Sequence, residues 1–366
     1  MTHDTEVEPR DLLEPLVALG LDDRVRGLFG PMADAGFLLG RVARVDRGGA
    51  VVLVPEPLRA EPAWHLAKAA EGGSLPAVGD WVAVNADPEL DVALIEVVLP
   101  RSSALSRRDP GREAAIQVLA ANVDVLLVIH SLSDEPNLGR IERELALAWD
   151  SGAEPAIVLT KADLCSEPDR ARKLVQDVAL EAPVHVTSAV DGTGLEELRG
   201  YASDGRTVAF IGPSGAGKST LVNALLHEER QETREVRVSD NKGRHTTIAR
   251  ELLQTPEGGV VIDTPGMRAL GLWDGEAGVE LAFSDIAELA ERCRFRNCVH
   301  DAEPGCAVRA AIASGDLAER RLDSYNKLRG ELARVAEQRE TQARATRGQR
   351  PKPTAKATRT QRPGPE

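Results

Sequence analysis

Residues 206–226 read RTVAFIGPSGAGKSTLVNALL: a short apolar run, the nine residues from Gly212 to Thr220, and then apolar positions at helical spacing. Gly212, Gly217, Lys218 and Ser219 satisfy the pattern G-x-x-x-x-G-K-[ST], placed between a predicted strand and a predicted helix. Glycines there let the backbone curl until its N–H groups converge on phosphate oxygens, and the following helix adds its positive N-terminal end. The motif therefore predicts a phosphate site formed by Gly212, Pro213, Ser214, Gly215, Ala216, Gly217, Lys218, Ser219 and Thr220. Lys218 is expected to reach the β and γ phosphates of a nucleotide, and the Ser219 hydroxyl to ligate Mg²⁺.

A phosphate loop alone separates neither ATP from GTP nor a hydrolase from a kinase. Downstream, Asp263-Thr264-Pro265-Gly266 ends the strand GGVVI, where Asp263 can hold Mg²⁺ and the Gly266 N–H can sense the γ phosphate. Upstream, Thr160-Lys161-Ala162-Asp163 closes the strand AIVLT. A carboxylate at that place accepts from guanine N1–H and N2–H₂, a donor pair adenine lacks, while the Lys161 stem covers the ring. Ser188-Ala189, at the end of VHVTS, would supply a backbone N–H to guanine O6. Taken singly, DTPG also fits an ordinary turn and Asp163 a helix cap.

Outward from this core the chain changes character twice. Between about 32 and 106, GRVARV, AVVLV, DWVAV and VALIEVVL are β-branched runs separated by turn compositions, which predicts an OB-like β-barrel. Before it, Leu12, Leu13, Leu16, Leu19 and Leu21 suggest one leading helix within residues 1–31. From 107 to 280, strands (VDVLLVI, AIVLT, VHVTS, TVAFI, VVI) alternate with helical segments (Leu138, Ile141, Leu145 and Ala148 on one face), the rhythm of an α/β domain with a parallel sheet. Residues 281–340 read as helical and charged around a cysteine cluster, and 341–366 as a basic tail without apolar periodicity, disordered on its own.

The base-reading segments precede the phosphate loop here, whereas ordinary GTPases place them after it. With this order the chain resembles the circularly permuted GTPases and, because a barrel precedes and a cysteine segment follows, the ribosome small subunit-dependent GTPase A family, RsgA, over roughly residues 35–335. The resemblance implies hydrolysis of GTP to GDP and phosphate, stimulated by the small ribosomal subunit during its late assembly through rRNA contact. A nucleotide-gated RNA-binding module with incidental hydrolysis is the alternative. Gly243-Arg244-His245-Thr246-Thr247 resembles the family's switch segment, so Thr246 or Thr247 is implied as a Mg²⁺ ligand. Two departures stand out: Thr160 replaces the family's usual Asn, and Ile248 a third Thr.

Met267 follows DTPG where Ras-like enzymes place the glutamine that orients the attacking water. Methionine cannot do this, which makes His245 the candidate catalytic residue. Cys293, Cys298, His300 and Cys306 form C-x₄-C-x-H-x₅-C, a Cys₃His set suited to one structural, tetrahedral Zn²⁺; the family resemblance carries these four over as ligands.

The formal net charge of −13 argues against nucleic acid, but it is uneven: residues 339–366 hold eight basic and two acidic side chains, +6, leaving −19 elsewhere. The barrel, the arginines of the cysteine segment (Arg292, Arg294, Arg296) and the tail are three candidate rRNA contacts. With 3% aromatic residues, phosphate contacts should outweigh base stacking. The acidic first ten residues, lacking an apolar core of about 7–15 residues behind them, and the absence of any run of about 18 apolar residues predict a cytoplasmic protein without membrane contact. A monomer is expected.

Overall fold

Two short helices, α1 (Glu14–Val17) and α2 (Asp23–Ala33), open the fold in place of the single helix expected; the chain turns between them at Gly20, and Asp22 caps α2 by accepting from the Val25 N–H. The structure is a computed structural model that describes residues 13–69, 75–109, 112–227, 250–263 and 275–348. The barrel follows: β1 (Leu38–Asp46), β2 (Gly49–Val54), β3 (Glu56–Pro62), α3 (Trp64–Ala69), β4 (Trp81–Asn85) and β5 (Ala93–Val98). Its strands pair in the order β1-β2-β3-β5-β4 and close through β4 onto β1. Only the β3–β5 pair is parallel. Alternate residues fill the interior, Val42, Val52, Ala60, Val82, Val84 and Ile95 all being fully buried. The strand β3 was not read from sequence, because Pro57, Pro62 and three charged residues obscure its alternation.

A hairpin, β6 (Ala104–Asp109) and β7 (Arg112–Ala121), leads into the parallel strands and spans position 107. Then come β8 (Val125–Ser131), α4 (Leu138–Ser151), β9 (Glu154–Thr160), α5 (Pro168–Ala179), β10 (Val184–Val186), α6 (Leu195–Arg199), β11 (Thr207–Ile211), α7 (Lys218–Leu226), β12 (Glu251–Gln254) and β13 (Val260–Asp263). The parallel order is β10-β9-β8-β11-β13, with β12 antiparallel on the far side of β13. From β8 the chain winds one way to β9 and β10, then returns to build β11 and β13 on the other side. The winding direction therefore reverses between β8 and β11, which opens a crevice at the carboxyl ends of those strands. The strand β12 also meets β1, Glu251 pairing with Arg44, so barrel and parallel sheet are continuous.

Helices α8 (Glu276–Ala282), α9 (Ser284–Ala290), α10 (Ala307–Ser314) and α11 (Glu319–Gly348) complete the described part of the chain. Where lack of structure was expected from 341, α11 continues to Gly348; the residues from 341 are mostly good helix formers, and the first proline comes only at 351.

Buried arginines fix the parts to one another. Arg41, on β1, donates to the carbonyls of Leu19, Gly79 and Asn122 and to the Thr207 hydroxyl at 2.8 Å, so one guanidinium joins α1's end, the barrel and β11. Burial lowers its pKa to about 10, against the opposing pull of Asp124, Asp80 and Asp22. On the other side, Arg321 of α11 reaches Glu142 of α4 at 2.9 Å, Asp285 of α9 at 2.8 Å and the Ala282 carbonyl at 2.9 Å.

Candidate nucleotide and metal sites

The phosphate loop leaves β11 at Gly212, whose φ is +140° and where a Cβ would come within 2.1 Å of the Ile129 carbonyl oxygen on β8. Only glycine makes that turn. Gly217 holds φ +91° directly before α7, so the chain enters the helix through a left-handed residue and presents the first-turn N–H groups of α7 to the crevice. Lys218 folds over the loop, its Nζ donating to the carbonyls of Gly212 at 2.8 Å and Pro213 at 2.6 Å. Phosphate oxygens, being anionic, are the stronger acceptors for that ammonium. Ser219 and Thr220 occupy the first turn of α7 and are half-buried.

Asp263 ends β13, which runs parallel to β11 with Ile262 opposite Ala209. Asp263 therefore lies at the same carboxyl end of the sheet as the loop, and its carboxylate and the Ser219 hydroxyl are hard oxygen donors of the kind that could hold Mg²⁺. Gly266, His245, Thr246 and Thr247 lie outside the described residues.

The two segments expected to read the base meet across β9 and β10. Lys161 takes a left-handed φ of +58°, the Ala162 N–H donates to the Thr187 carbonyl, and the Ser188 hydroxyl donates to Asp163 Oδ1 at 2.7 Å. Thr160, Lys161, Ala162, Asp163, Ser188 and Ala189 are thus brought together, and Thr160 ties them to the phosphate loop by donating to the Ala216 carbonyl at 2.6 Å. The sequence did not announce this tie; nor did it show that the buried His130 on β8 is paired with Glu144 at 2.7 Å, behind the same loops.

At the other end, the ligand atoms of Cys293, Cys298, His300 and Cys306 lie within 4.8 Å of one another. Cys293 Sγ is 3.9 Å from Cys306 Sγ, and His300 Nδ1 is 3.7 and 3.5 Å from these two sulfurs. Tetrahedral bonds of about 2.3 Å to sulfur and about 2.0 Å to nitrogen give edges of roughly 3.5–3.8 Å, so the set could hold a zinc ion. Backbone N–H groups of Ala307 and Arg309 point at the sulfurs of Cys293 and Cys306, and Arg309 Nε holds the His300 carbonyl at 2.8 Å. Burial pushes the Cys298 thiol up to about 11, with the neighbouring Cys306 and Cys293 thiols adding to it. Burial acts upward on Cys293 too, but the N–H groups of Ala307 and Val308 outweigh it and hold that thiol below its usual range. Burial lowers His300, favouring the neutral imidazole that ligates a metal. Cys165 is half-buried and packs against the main core.

A family model described as RsgA GTPase matches residues 98–273. The small ribosomal subunit biogenesis GTPase RsgA of Streptomyces coelicolor is 48% identical over 334 residues, covering 90% of either chain. The chain belongs to the RsgA GTPase family. The RsgA of Opitutus terrae is 46% identical over 332 residues, covering 88% of this chain and 90% of its own. The crystal structure of YjeQ from Thermotoga maritima superposes with a TM-score of 0.61 at 29% identity, over 81% of this chain and 99% of that one. YloQ, described as a circularly permuted GTPase, shares the fold with a TM-score of 0.59. As an RsgA GTPase this chain is a GTP hydrolase with a barrel, a circularly permuted α/β domain and a helical C-terminal part that carries the Cys₃His cluster. Among the described residues no helix is long and apolar enough to cross a membrane.

Proposed function

We propose that this chain binds GTP with Mg²⁺ in the crevice between β8 and β11 and hydrolyses it when docked on the small ribosomal subunit during late assembly. The observation that supports the nucleotide site is the Thr160–Ala216 hydrogen bond, which joins the segment 160–163 to the loop 212–220. In this reading Asp163 accepts from guanine N1–H and N2–H₂, Ala189 donates to O6, and the loop from Gly212 to Thr220 wraps the phosphates with Lys218 against the β and γ oxygens. Ser219, Asp263 and Thr246 or Thr247 would hold Mg²⁺, which screens the phosphate charge; Gly266 senses the γ phosphate. His245 orients the attacking water once the subunit has positioned the segment that carries it.

The partner reading comes from the relatives, which are named as small ribosomal subunit biogenesis GTPases. Contact is with rRNA, through the barrel, the arginines beside the metal cluster and the basic tail. Zn²⁺ at Cys293, Cys298, His300 and Cys306 is structural, because four protein ligands leave no open position. The division of the chain at about 31, 106, 280 and 340, the cytoplasmic location and the monomeric state belong to the same proposal. Competition between GTP and ATP for the protein tests the base-reading loops: GTP should be preferred over ATP by at least about a hundredfold, because a site built to accept from guanine N1–H and N2–H₂ finds no such donor pair on adenine. Equal competition sinks the assignment of Asp163.

A further inference from the structure

Thr160 stands where the base-reading and phosphate-binding loops touch. It ends β9, is buried, and has its Oγ1 2.6 Å from the Ala216 carbonyl and 3.2 Å from the His130 carbonyl. Both neighbours are acceptors and a hydroxyl has one proton, so the shorter contact takes it. Its side chain also packs on the loop: a Cβ built at Gly217 would come 3.6 Å from Thr160 Cβ and 3.8 Å from Cγ2. The hydroxyl beside Asp163 is committed as well, Ser188 donating to that carboxylate and receiving the Val190 N–H. An asparagine at 160 would bring two N–H donors, one for the loop and one to spare. Threonine has none to spare.

We infer that Thr160 is a positioning residue that clamps the phosphate loop and gives nothing to the base, so that guanine is read through N1, N2 and O6 while N7 goes unread. The inference rests on the base site described under the proposed function. Guanine N7 is a pure acceptor and can be recognised only by a donor; replacing it by C–H, as in 7-deaza-GTP, removes that acceptor and nothing from the edge Asp163 reads. The nucleotide specificity of this enzyme should therefore be blind to the change.

Binding of GTP, 7-deaza-GTP, GDP and ATP to the full-length protein tests this, with the variants Thr160→Asn, Thr160→Val and Thr160→Ser. The wild type should bind GTP and 7-deaza-GTP within about twofold, whereas Thr160→Asn should favour GTP by about five- to tenfold, the worth of one neutral hydrogen bond. Thr160→Val should weaken GTP and GDP alike by about tenfold, and Thr160→Ser should stay near the wild type. Should the valine variant not fold, Thr160→Cys replaces it and is compared with Thr160→Ser, which is equally unbranched but keeps the stronger hydroxyl donor. A wild type that prefers GTP over 7-deaza-GTP by fivefold or more overturns the unread N7. A valine or cysteine variant with wild-type GDP affinity overturns the clamp. Failure of the base site itself would look different: ATP would then bind the wild type as well as GTP does.

Discussion

Arg41 lies in the run GRVARV, where alternation marks it as a solvent-facing position, yet it is 1% exposed. Its partners lie 22, 38, 81 and 166 residues away, so its burial could not be read locally. Replacing it with methionine leaves the carbonyls of Leu19 and Asn122 without their donor, and that of Gly79 with Asn122 Nδ2 alone, and should cost about 3 kcal/mol of stability. Thermal unfolding measures this, and an unchanged melting temperature would contradict the role given to Arg41. His245 makes a complementary case: sequence chemistry selects it by exclusion of Met267, and the residue lies outside the described structure. His245→Ala should lower subunit-stimulated turnover at least about tenfold, to near the unstimulated rate, while leaving GTP affinity within about twofold. Stimulated turnover at the wild-type rate would remove His245 from the mechanism. The motif residues of the phosphate loop were legible because backbone geometry demands glycine at Gly212 and Gly217. The Thr160 clamp was not, since it depends on the tertiary approach of Ala216 to β9.

Among elements, the strongly periodic ones were legible: β8, β9 and β11 are apolar runs, and α4 shows its face at Leu138, Ile141, Leu145 and Ala148. The strands β3 and β12 were not, the first broken by prolines and the second only four residues long. The helix α4 also buries Glu142, one step off its apolar face, because Arg320 and Arg321 of α11 cover it. Arg321→Ala leaves that carboxylate underpaired and should destabilise the chain by about 3–5 kcal/mol. Denaturant unfolding would show the loss, and a stable variant would mean that Arg320 alone satisfies Glu142. The cysteine segment is held more loosely by packing, with Phe295 and Val299 exposed, so its order should depend on the metal. Cys306, one of the four residues that could hold the ion, also caps α10 by accepting from the Arg309 N–H. Cys306→Ser should therefore release zinc and expose residues 291–315 to protease while GTP affinity stays near the wild-type value. Full zinc retention in that variant, measured by metal analysis, would contradict the ligand set.

At the scale of the molecule, three parts are joined by shared structure: β1 continues the parallel sheet through β12, Arg41 reaches β11, and Arg321 ties α11 to α4 and α9. A load on the barrel or the C-terminal helices is therefore borne by elements that also carry the nucleotide loops. The charge is divided in the same way, an acidic body of −19 ending in a stretch of +6. Cationic contacts to rRNA release counterions, so docking should weaken steeply with salt, whereas hydrolysis by the isolated chain should not. The order of motifs made the permuted GTPase readable; the continuity of the parts was not, because it rests on pairings between distant segments. The central claim, that this GTPase is switched on by its ribosomal partner, is tested most directly by steady-state GTP turnover with and without purified small subunits at several salt concentrations. The predicted result is slow intrinsic turnover raised at least about tenfold by subunits, with the stimulation lost as salt rises; the same rate with and without subunits at every salt concentration would contradict it.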